Sequence, residues 1–454
     1  MPLTVEIIET SELGDRSYLA HDGAVAVVID PQRDTDRVTA RAAEIGVRVV
    51  AVAETHIHND YVTGGYHLAQ ETGADYLVNA EDPVAFERVG VSDGDVRTYG
   101  DLEVTVVSTP GHTHTHLGFV IATPGTENPA AFTGGSLLYG SVGRPDLLGP
   151  DYTDTLARAQ YRTAHKLAEM LPDEAPLYPT HGFGSFCSAG SATGGDGSTI
   201  GTEKARNDAL TTPDEQSFVD GLVAALAAYP AYYAHMAPRN LEGPAEPDLS
   251  APESVDAAGL RAAVEAGHWV VDLRDRKLYP AAHVPGSISV DISGAFSTYL
   301  GWILPWGTPL TLIAETAEDV AAAQRQLVRI GIERPAGAAV GAIADLTAGD
   351  AASYETVDFE ALATRIKDGE APLVLDVRMD SEHLASEIPG SVHVPLHELL
   401  DRLDDVPAGQ VWVHCQSGFR ASIAASLLDR AGRDVVLVDD DYDRAGELGL
   451  TASA

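Results

Sequence analysis

Two stretches of this chain repeat one another, and that restricts its fold more than any other feature. HWVVDLRDRKLYPAAHVPGSISV (268–290) and PLVLDVRMDSEHLASEIPGSVHVP (372–395) share an apolar run, an Asp-x-Arg, a helical stretch, a Pro-Gly-Ser turn and a second apolar run. Further on, PLTLIAETAEDVAAAQRQL (309–327) parallels QVWVHCQSGFRASIAASLL (410–428). A short apolar run, a polar turn and then a helix-periodic segment read as strand, loop and helix. Each copy, about a hundred residues long, is therefore an α/β unit. TAGDAASYETV (347–357) joins the copies.

The chain before the repeats has another pattern. AVAVVID (24–30), RVVAVAET (48–55), LEVTVVSTPG (102–111) and PAAFTGGS (129–136) read as strands, and the loops after the last two contain Gly. Residues 214–235 are apolar at helical spacing, interrupted by Pro230, and PAEPDLSAPES (244–254) reads as a linker. One larger N-terminal domain followed by two smaller α/β repeats is the expected organisation.

Lys and Arg total 29 against 68 Asp and Glu, a net charge of −39. Neutralising phosphate needs a cationic surface, so nucleic acid and anionic membranes are poor partners for this chain. Only Lys166, Lys204, Lys277 and Lys367 are lysines, and the acid is spread along the sequence, as at Asp404–Asp405 and Asp439–Asp441. Salt screening tolerates self-repulsion of this size, because the Debye length falls to ~3 Å at 1 M, so a halophilic protein is expected. Hydrophobic residues make up 44%, enough for packed cores, which sets disorder aside. No apolar run reaches the ~18 residues of a membrane span, and MPLTVEIIET does not read as a signal peptide. The two cysteines, Cys187 and Cys415, are far apart and suit separate thiols in a cytoplasmic protein.

Histidines collect where strands end. They occur in Thr55-His56-Ile57-His58-Asn59-Asp60-Tyr61, in Thr109-Pro110-Gly111-His112-Thr113-His114-Thr115-His116 and in Tyr178-Pro179-Thr180-His181-Gly182. Strand ends place polar groups at a sheet's rim, where α/β sites form. Imidazoles converging there suit a first-row transition metal. Cys187, in HGFGSFCSAG (181–190), reads either as a small buried thiol or as a thiol beside that site that handles sulfane sulfur.

Near the C-terminus, the strand VWVH (411–414) runs into Cys415-Gln416-Ser417-Gly418-Phe419-Arg420 and then a helix. Backbone N–H groups and the helix dipole favour thiolate over thiol at such a place. Gly418 relaxes the loop, and Arg420 either holds an anionic substrate or braces the loop. A thiolate held this way can accept a sulfur atom and pass it to another thiol. In the first repeat Ala314 stands at the cysteine position and Asp319 at the arginine position, so that copy is a spacer or docking surface.

Two resemblances rest on these residues. ETHIHNDYVTGG (54–65), STPGHTHTHLGF (108–119), FTGGSLLYGSVGRPDL (132–147) and YPTHGFGSFC (178–187) resemble, in order, the persulfide dioxygenases of the metallo-β-lactamase fold, relatives of glyoxalase II. The resemblance implies an αββα sandwich with a mononuclear iron(II) held by two histidines and an aspartate, oxidising the terminal sulfur of a thiol persulfide. The histidines fall on His56 and His112. The aspartate falls on Gly135, and the last histidine of the His-x-His-x-Asp-His motif falls on Tyr61. Either His58 completes a three-histidine site, more zinc-like than iron-like, or the domain keeps its shape without a metal.

The Cys415 loop, with Asp376-Val377-Arg378 and Ile388-Pro389-Gly390-Ser391, resembles the rhodanese sulfurtransferases. That implies catalysis by Cys415 and Arg420, with Gln416, Ser417, Gly418 and Phe419 forming the substrate loop. The domain order resembles persulfide dioxygenase–rhodanese fusions: a metallo-β-lactamase-like domain at 1–243, a linker at 244–255, a pseudo-rhodanese domain at 256–347 and a rhodanese domain at 355–454. Small thiol persulfides, thiosulfate or sulfite are the expected substrates, and a homo-oligomer is the expected assembly. The rival readings are a glyoxalase II-like hydrolase of thioesters and a metal-free scaffold carrying one active sulfurtransferase. The charge makes a direct prediction: thermal unfolding should shift to higher temperature as KCl rises from ~50 mM to ~2 M. An unchanged midpoint would remove the halophilic reading.

Overall fold

The computed structural model describes residues 2–189, 197–370 and 372–452. The chain forms two compact units, Met1–Asp248 with Leu327–Gly331, and Leu249–Gln326 with Ile332–Ala454.

The first unit is built on two six-stranded sheets. One runs, in spatial order, Thr4–Thr10, Asp15–His21, Val25–Ile29, Arg48–Ala53, Asp75–Asn79 and Val89–Val91; the other runs Ser198–Thr199, Pro176–Pro179, Ala130–Gly134, Leu117–Ala122, Leu102–Ser108 and Val96–Tyr99. Their facing sides share one apolar core, with Tyr18, Val27, Ile29 and Leu77 from the first sheet and Val104, Phe119, Ile121 and Phe132 from the second. Helices cover the outer faces. Val38 and Ala42 of Asp36–Ile45 and Leu68 of Gly65–Thr72 pack on the first sheet. Ala157, Ala164 and Leu167 of Pro150–Met170 pack on the second. The result is an αββα sandwich. Each strand alternates between the shared core and a helical layer, which explains the near-continuous apolar runs.

Pro230 splits the periodic stretch at 214–235 into the helix Glu215–Ala224 and a 3₁₀ turn at Ala231–His235, because proline lacks the N–H that a helix interior needs. The segment 244–252 carries no helix or strand, but Glu253–Ser254 pair in parallel with Gly337–Ala338. The last residues of the expected linker are therefore an edge strand of the next sheet. The outermost expected bounds, residues 1 and 454, lie outside the described residues.

The second unit contains two five-stranded parallel sheets with the same order of strands. In one the order is Glu253–Ser254, Gly337–Val340, Leu310–Ala314, Trp269–Asp272, Ile288–Ser289; in the other it is Glu355–Val357, Val435–Val438, Val411–His414, Leu373–Asp376, Val392–His393. The ladder registers align the copies residue by residue. Asp272 pairs with Ile313 and Asp376 with His414, so Ala314 and Cys415 are equivalent positions.

The repeated Asp-x-Arg is the same device in both sheets. Arg378 forks onto both oxygens of Asp376 (2.6–3.1 Å) and donates to the Ser386 carbonyl (2.7 Å), while Arg274 forks onto Asp272 and donates to the Ala282 carbonyl (3.0 Å). Arg378 also lies 3.6 Å from the centre of the Tyr442 ring. Arg378 is 1% exposed and Asp376 is fully buried, so removing one partner strands the other's charge. Arg378→Ala should cost about 3–5 kcal/mol in urea unfolding of the full chain. A loss under ~1 kcal/mol would show that the pair is replaceable by water.

Candidate metal centre and cysteine loop

Three strand ends of the first unit carry imidazoles to one point. His56 follows Arg48–Ala53, His112 follows Leu102–Ser108 and His181 follows Pro176–Pro179. All three are at most 2% exposed. One ligating nitrogen from each lies within 4.8 Å of the others. Their outer nitrogens are all occupied. His112 Nδ1 donates to the Arg144 carbonyl (2.8 Å), His181 Nδ1 meets Asp15 Oδ1 (2.9 Å) and Asp60 Oδ2 (3.2 Å), and His56 Nδ1 meets Thr55 Oγ1 (2.9 Å). Thr55 in turn donates its hydroxyl proton to Asp30 Oδ2 (2.7 Å), so its oxygen accepts from His56. Each ring is thereby fixed with Nε2 facing inward, as oxygen acceptors fix the histidines of metal sites.

The inward nitrogens show what the site is suited to hold. His112 Nε2 is buried without a hydrogen-bond partner, and His56 Nε2 and His181 Nε2 face each other at 3.4 Å. Burial, aided by neighbouring histidines, keeps His56 neutral and pushes His112 down to about 3. Burial also opposes charge on His181, but Asp60 and Asp15 override it and hold a proton there. A metal ion would take that proton's place among the Nε2 lone pairs, so the residues fit a first-row transition metal.

Sequence reasoning grouped His58 with His56 and His112; the structure groups His181 with them instead. His58 Nε2 is turned toward Glu54 Oε2 (3.2 Å), Asp30 Oδ1 (3.3 Å) and the Tyr61 hydroxyl (3.0 Å). Burial disfavours its charge, yet the two carboxylates push it up to about 9. Its Nδ1 is buried and unpartnered, 4.0 Å from Asp60 Oδ1, and His58, Asp60 and His181 form a second, overlapping group of candidate ligands. Tyr61 stacks on His58 with ring centres 4.2 Å apart. His116 is unsuited to metal, since Nε2 accepts from the Gly135 N–H (3.0 Å) and Nδ1 meets Thr109 Oγ1 (2.8 Å).

Gly135 is explained by the same crowding. A Cβ there would lie 2.4 Å from His112 Cδ2. The His112 ring fills the space a carboxylate would need, and the candidate donor set is three neutral nitrogens. Asp30 anchors the surroundings. It takes a left-handed backbone (φ 49°), rare outside glycine, and accepts from the Thr55 N–H (2.7 Å), the Thr55 hydroxyl and the Thr180 hydroxyl. Cys187 is fully buried and free, and burial, with Asp60 and Asp15 adding to it, pushes its thiol well up, so it is held as neutral thiol.

In the second unit, Cys415 closes the strand Val411–His414 and is 1% exposed. Gly418 (φ 85°) caps the helix Phe419–Arg430, whose first N–H groups point back at the loop. Gln416 gives its carbonyl to the Tyr442 N–H (2.8 Å). Ser417 is exposed, and Phe419 and Arg420 are half-buried. Arg420 forks onto Glu382 at 2.5 and 2.7 Å, and Glu382 also accepts from the Met379 N–H (2.9 Å). Arg420 thus braces the loop against the helix Asp380–Ala385. In the first repeat Leu278 stands at the Glu382 position and Asp319 at the Arg420 position, so the brace is missing along with the thiol.

Residues 15–181 match the metallo-beta-lactamase superfamily, and residues 358–445 match the rhodanese-like domain. The chain carries one domain of each kind. The metallo-beta-lactamase domain holds the histidine cluster, and the rhodanese-like domain holds Cys415. Over 205 residues the chain is 28% identical to the mitochondrial persulfide dioxygenase ETHE1 of Homo sapiens, covering 45% of this chain and 72% of that one. It is 25% identical over 232 residues to the hydroxyacylglutathione hydrolase GloC of Haemophilus influenzae, covering 46% and 99%. A crystal structure of a metallo-beta-lactamase from Staphylococcus aureus superposes with a TM-score of 0.66 at 26% identity, covering 75% of this chain and all of that one.

Purified protein should carry about one equivalent of transition metal per chain, and His181→Ala should lower metal affinity by more than ~10-fold. Full metal content in that variant, measured by elemental analysis after dialysis, would remove His181 from the ligand set.

Proposed function

We propose that this chain is a sulfur-metabolism enzyme that oxidises thiol persulfides in its metallo-beta-lactamase domain and moves sulfane sulfur through Cys415 in its rhodanese-like domain. The observation that carries the first half is the convergence of three buried histidines with their outer nitrogens already bonded. Iron(II), or zinc in its place, would be held by His56, His112 and His181; iron would supply the dioxygen chemistry that oxidation of a persulfide sulfur requires. The residues themselves set the conditions. Thr55, Arg144 and Asp15 orient the three rings, His58 keeps its proton between Glu54 and Asp30, and burial excludes water. A neutral three-nitrogen set lacks the charge that a carboxylate ligand brings, and the likeness to ETHE1 supports the persulfide reading despite that difference.

In the rhodanese-like domain, the Cys415 thiolate attacks the outer sulfur of thiosulfate. The new S–S bond forms as the old one breaks, the electron pair leaves on sulfite, and a Cys415 persulfide remains. A second thiolate or cyanide then removes that sulfur and regenerates Cys415. One chain carrying both activities keeps a reactive persulfide local. No helix among the described residues is long and apolar enough to cross a membrane. The two free thiols suit a reducing compartment such as the cytoplasm.

The likeness to GloC favours one other reading, a metal-dependent thioester hydrolase. Oxygen uptake separates the two. With a small-thiol persulfide the enzyme should consume oxygen and release sulfite, and Cys415→Ser should abolish thiosulfate-to-cyanide sulfur transfer while leaving that uptake intact. Thioester cleavage without oxygen consumption would establish the hydrolase instead.

A further inference from the structure

The repeat that lacks a cysteine packs against the loop of the repeat that has one. Both belong to the same compact unit. The Ser289 N–H donates to Ser426 Oγ (3.0 Å), and His283 Nε2 lies 3.2 Å from Asp429; both partners are on the helix that follows Cys415. Trp302 stacks on His397 with ring centres 4.9 Å apart.

Two contacts go to the loop itself. Arg276 is ion-paired with Asp439 and donates to the Ser417 carbonyl (3.2 Å). A side chain at Gly418 would run into both Asp439 and Arg276. In a trans peptide the N–H points opposite to the carbonyl, so a Ser417 carbonyl held by Arg276 turns the Gly418 N–H away from it, into the loop. Tyr299, on the helix Phe296–Ile303, sets its ring 5.4 Å from that of Phe419. Burial raises its phenol above the usual tyrosine range, and the charges of Arg420, Cys415 and Glu382 act on it. The corresponding Arg420 guanidinium is committed to Glu382. With Arg420 so committed, the loop's backbone N–H groups are joined by one further side-chain donor near the same charges, the hydroxyl of Tyr299, whose ring packs beside Phe419.

We propose that the first repeat builds part of the Cys415 site: Arg276 is a positioning residue that holds the Ser417–Gly418 peptide, and the Tyr299 hydroxyl donates a hydrogen bond to the oxyanion end of the sulfur donor. This rests on the sulfurtransferase reading above. The occupant is a sulfane-sulfur donor whose leaving group is anionic, as sulfite is when it departs from thiosulfate. Tyr299 then acts on donor recognition, whereas Arg276 acts on the reactivity of the thiolate.

The test uses the full chain with thiosulfate as donor and cyanide as acceptor. Tyr299→Phe should raise the KM for thiosulfate about tenfold with kcat within about twofold. Arg276→Ala should slow iodoacetamide alkylation of Cys415, read by mass spectrometry of its peptide, by about fivefold, with Arg276→Lys restoring most of the rate. Wild-type KM in Tyr299→Phe together with wild-type alkylation in Arg276→Ala would overturn the proposal. If Arg276→Ala fails to fold, Tyr299→Phe still decides, since it removes one hydroxyl at a half-buried site. A wild-type protein that transfers no sulfur from thiosulfate would sink the sulfurtransferase reading, and the alkylation rates would still report whether Arg276 governs the loop.

Discussion

Burying a carboxylate costs several kcal/mol unless its oxygens are matched by donors, and the histidine cluster is organised around one such residue, Asp30. Its two oxygens gather the Thr55 N–H, the hydroxyls of Thr55 and Thr180, and the His58 imidazole. These groups come from the ends of different strands in both sheets of the sandwich. The same carboxylate thus joins the two layers at their rim and settles, through Thr55, which nitrogen of His56 faces inward. The left-handed backbone at Asp30 is tolerated because these bonds over-determine it.

The rest of the centre follows from similar pairings. Asp15 and Asp60 hold His181, a backbone carbonyl holds His112, and Glu54 with Asp30 holds His58 Nε2. Gly135 and the His112 ring compete for one volume, and the ring occupies it. A side chain at Gly135 and the His112 ring in its present place exclude one another. The three-nitrogen set carries one negative charge less than a set with a carboxylate, which weakens its hold on a hard cation and suits metals that accept nitrogen donors.

In the second unit a repeated fold keeps one buried pair in both copies and the cysteine loop in only one. Asp272–Arg274 and Asp376–Arg378 are equivalent buried pairs, whereas the Glu382–Arg420 pair and the thiol are present in only one copy. Retention of the packing pair alongside loss of the chemistry is what is expected if the first copy still has a surface to present. That surface includes Arg276 and Tyr299, which meet the loop of the other copy.

Much was legible in the sequence because its signals are local. Buried strands show as apolar runs, the αββα and repeat architectures show as their order, and the Cys415 loop is contiguous with its helix. The strand-end position of His56, His112 and His181 was visible for the same reason. The orientation of His58 Nε2 was not, because it depends on Glu54 and Asp30 meeting that nitrogen, and Asp30 is distant in sequence. Glu382 had no motif to mark it as the partner of Arg420, and Arg276 and Tyr299 lie in the copy that sequence alone reads as inert. The sequence by itself determined the elements, the repeat and the chemistry-bearing residue types, since periodicity and local loops encode those. Only the tertiary structure decided which nitrogen faces inward, which carboxylate pairs with which cation, and which copy's side chains reach the thiol, because each of those is settled by contacts between residues far apart along the chain.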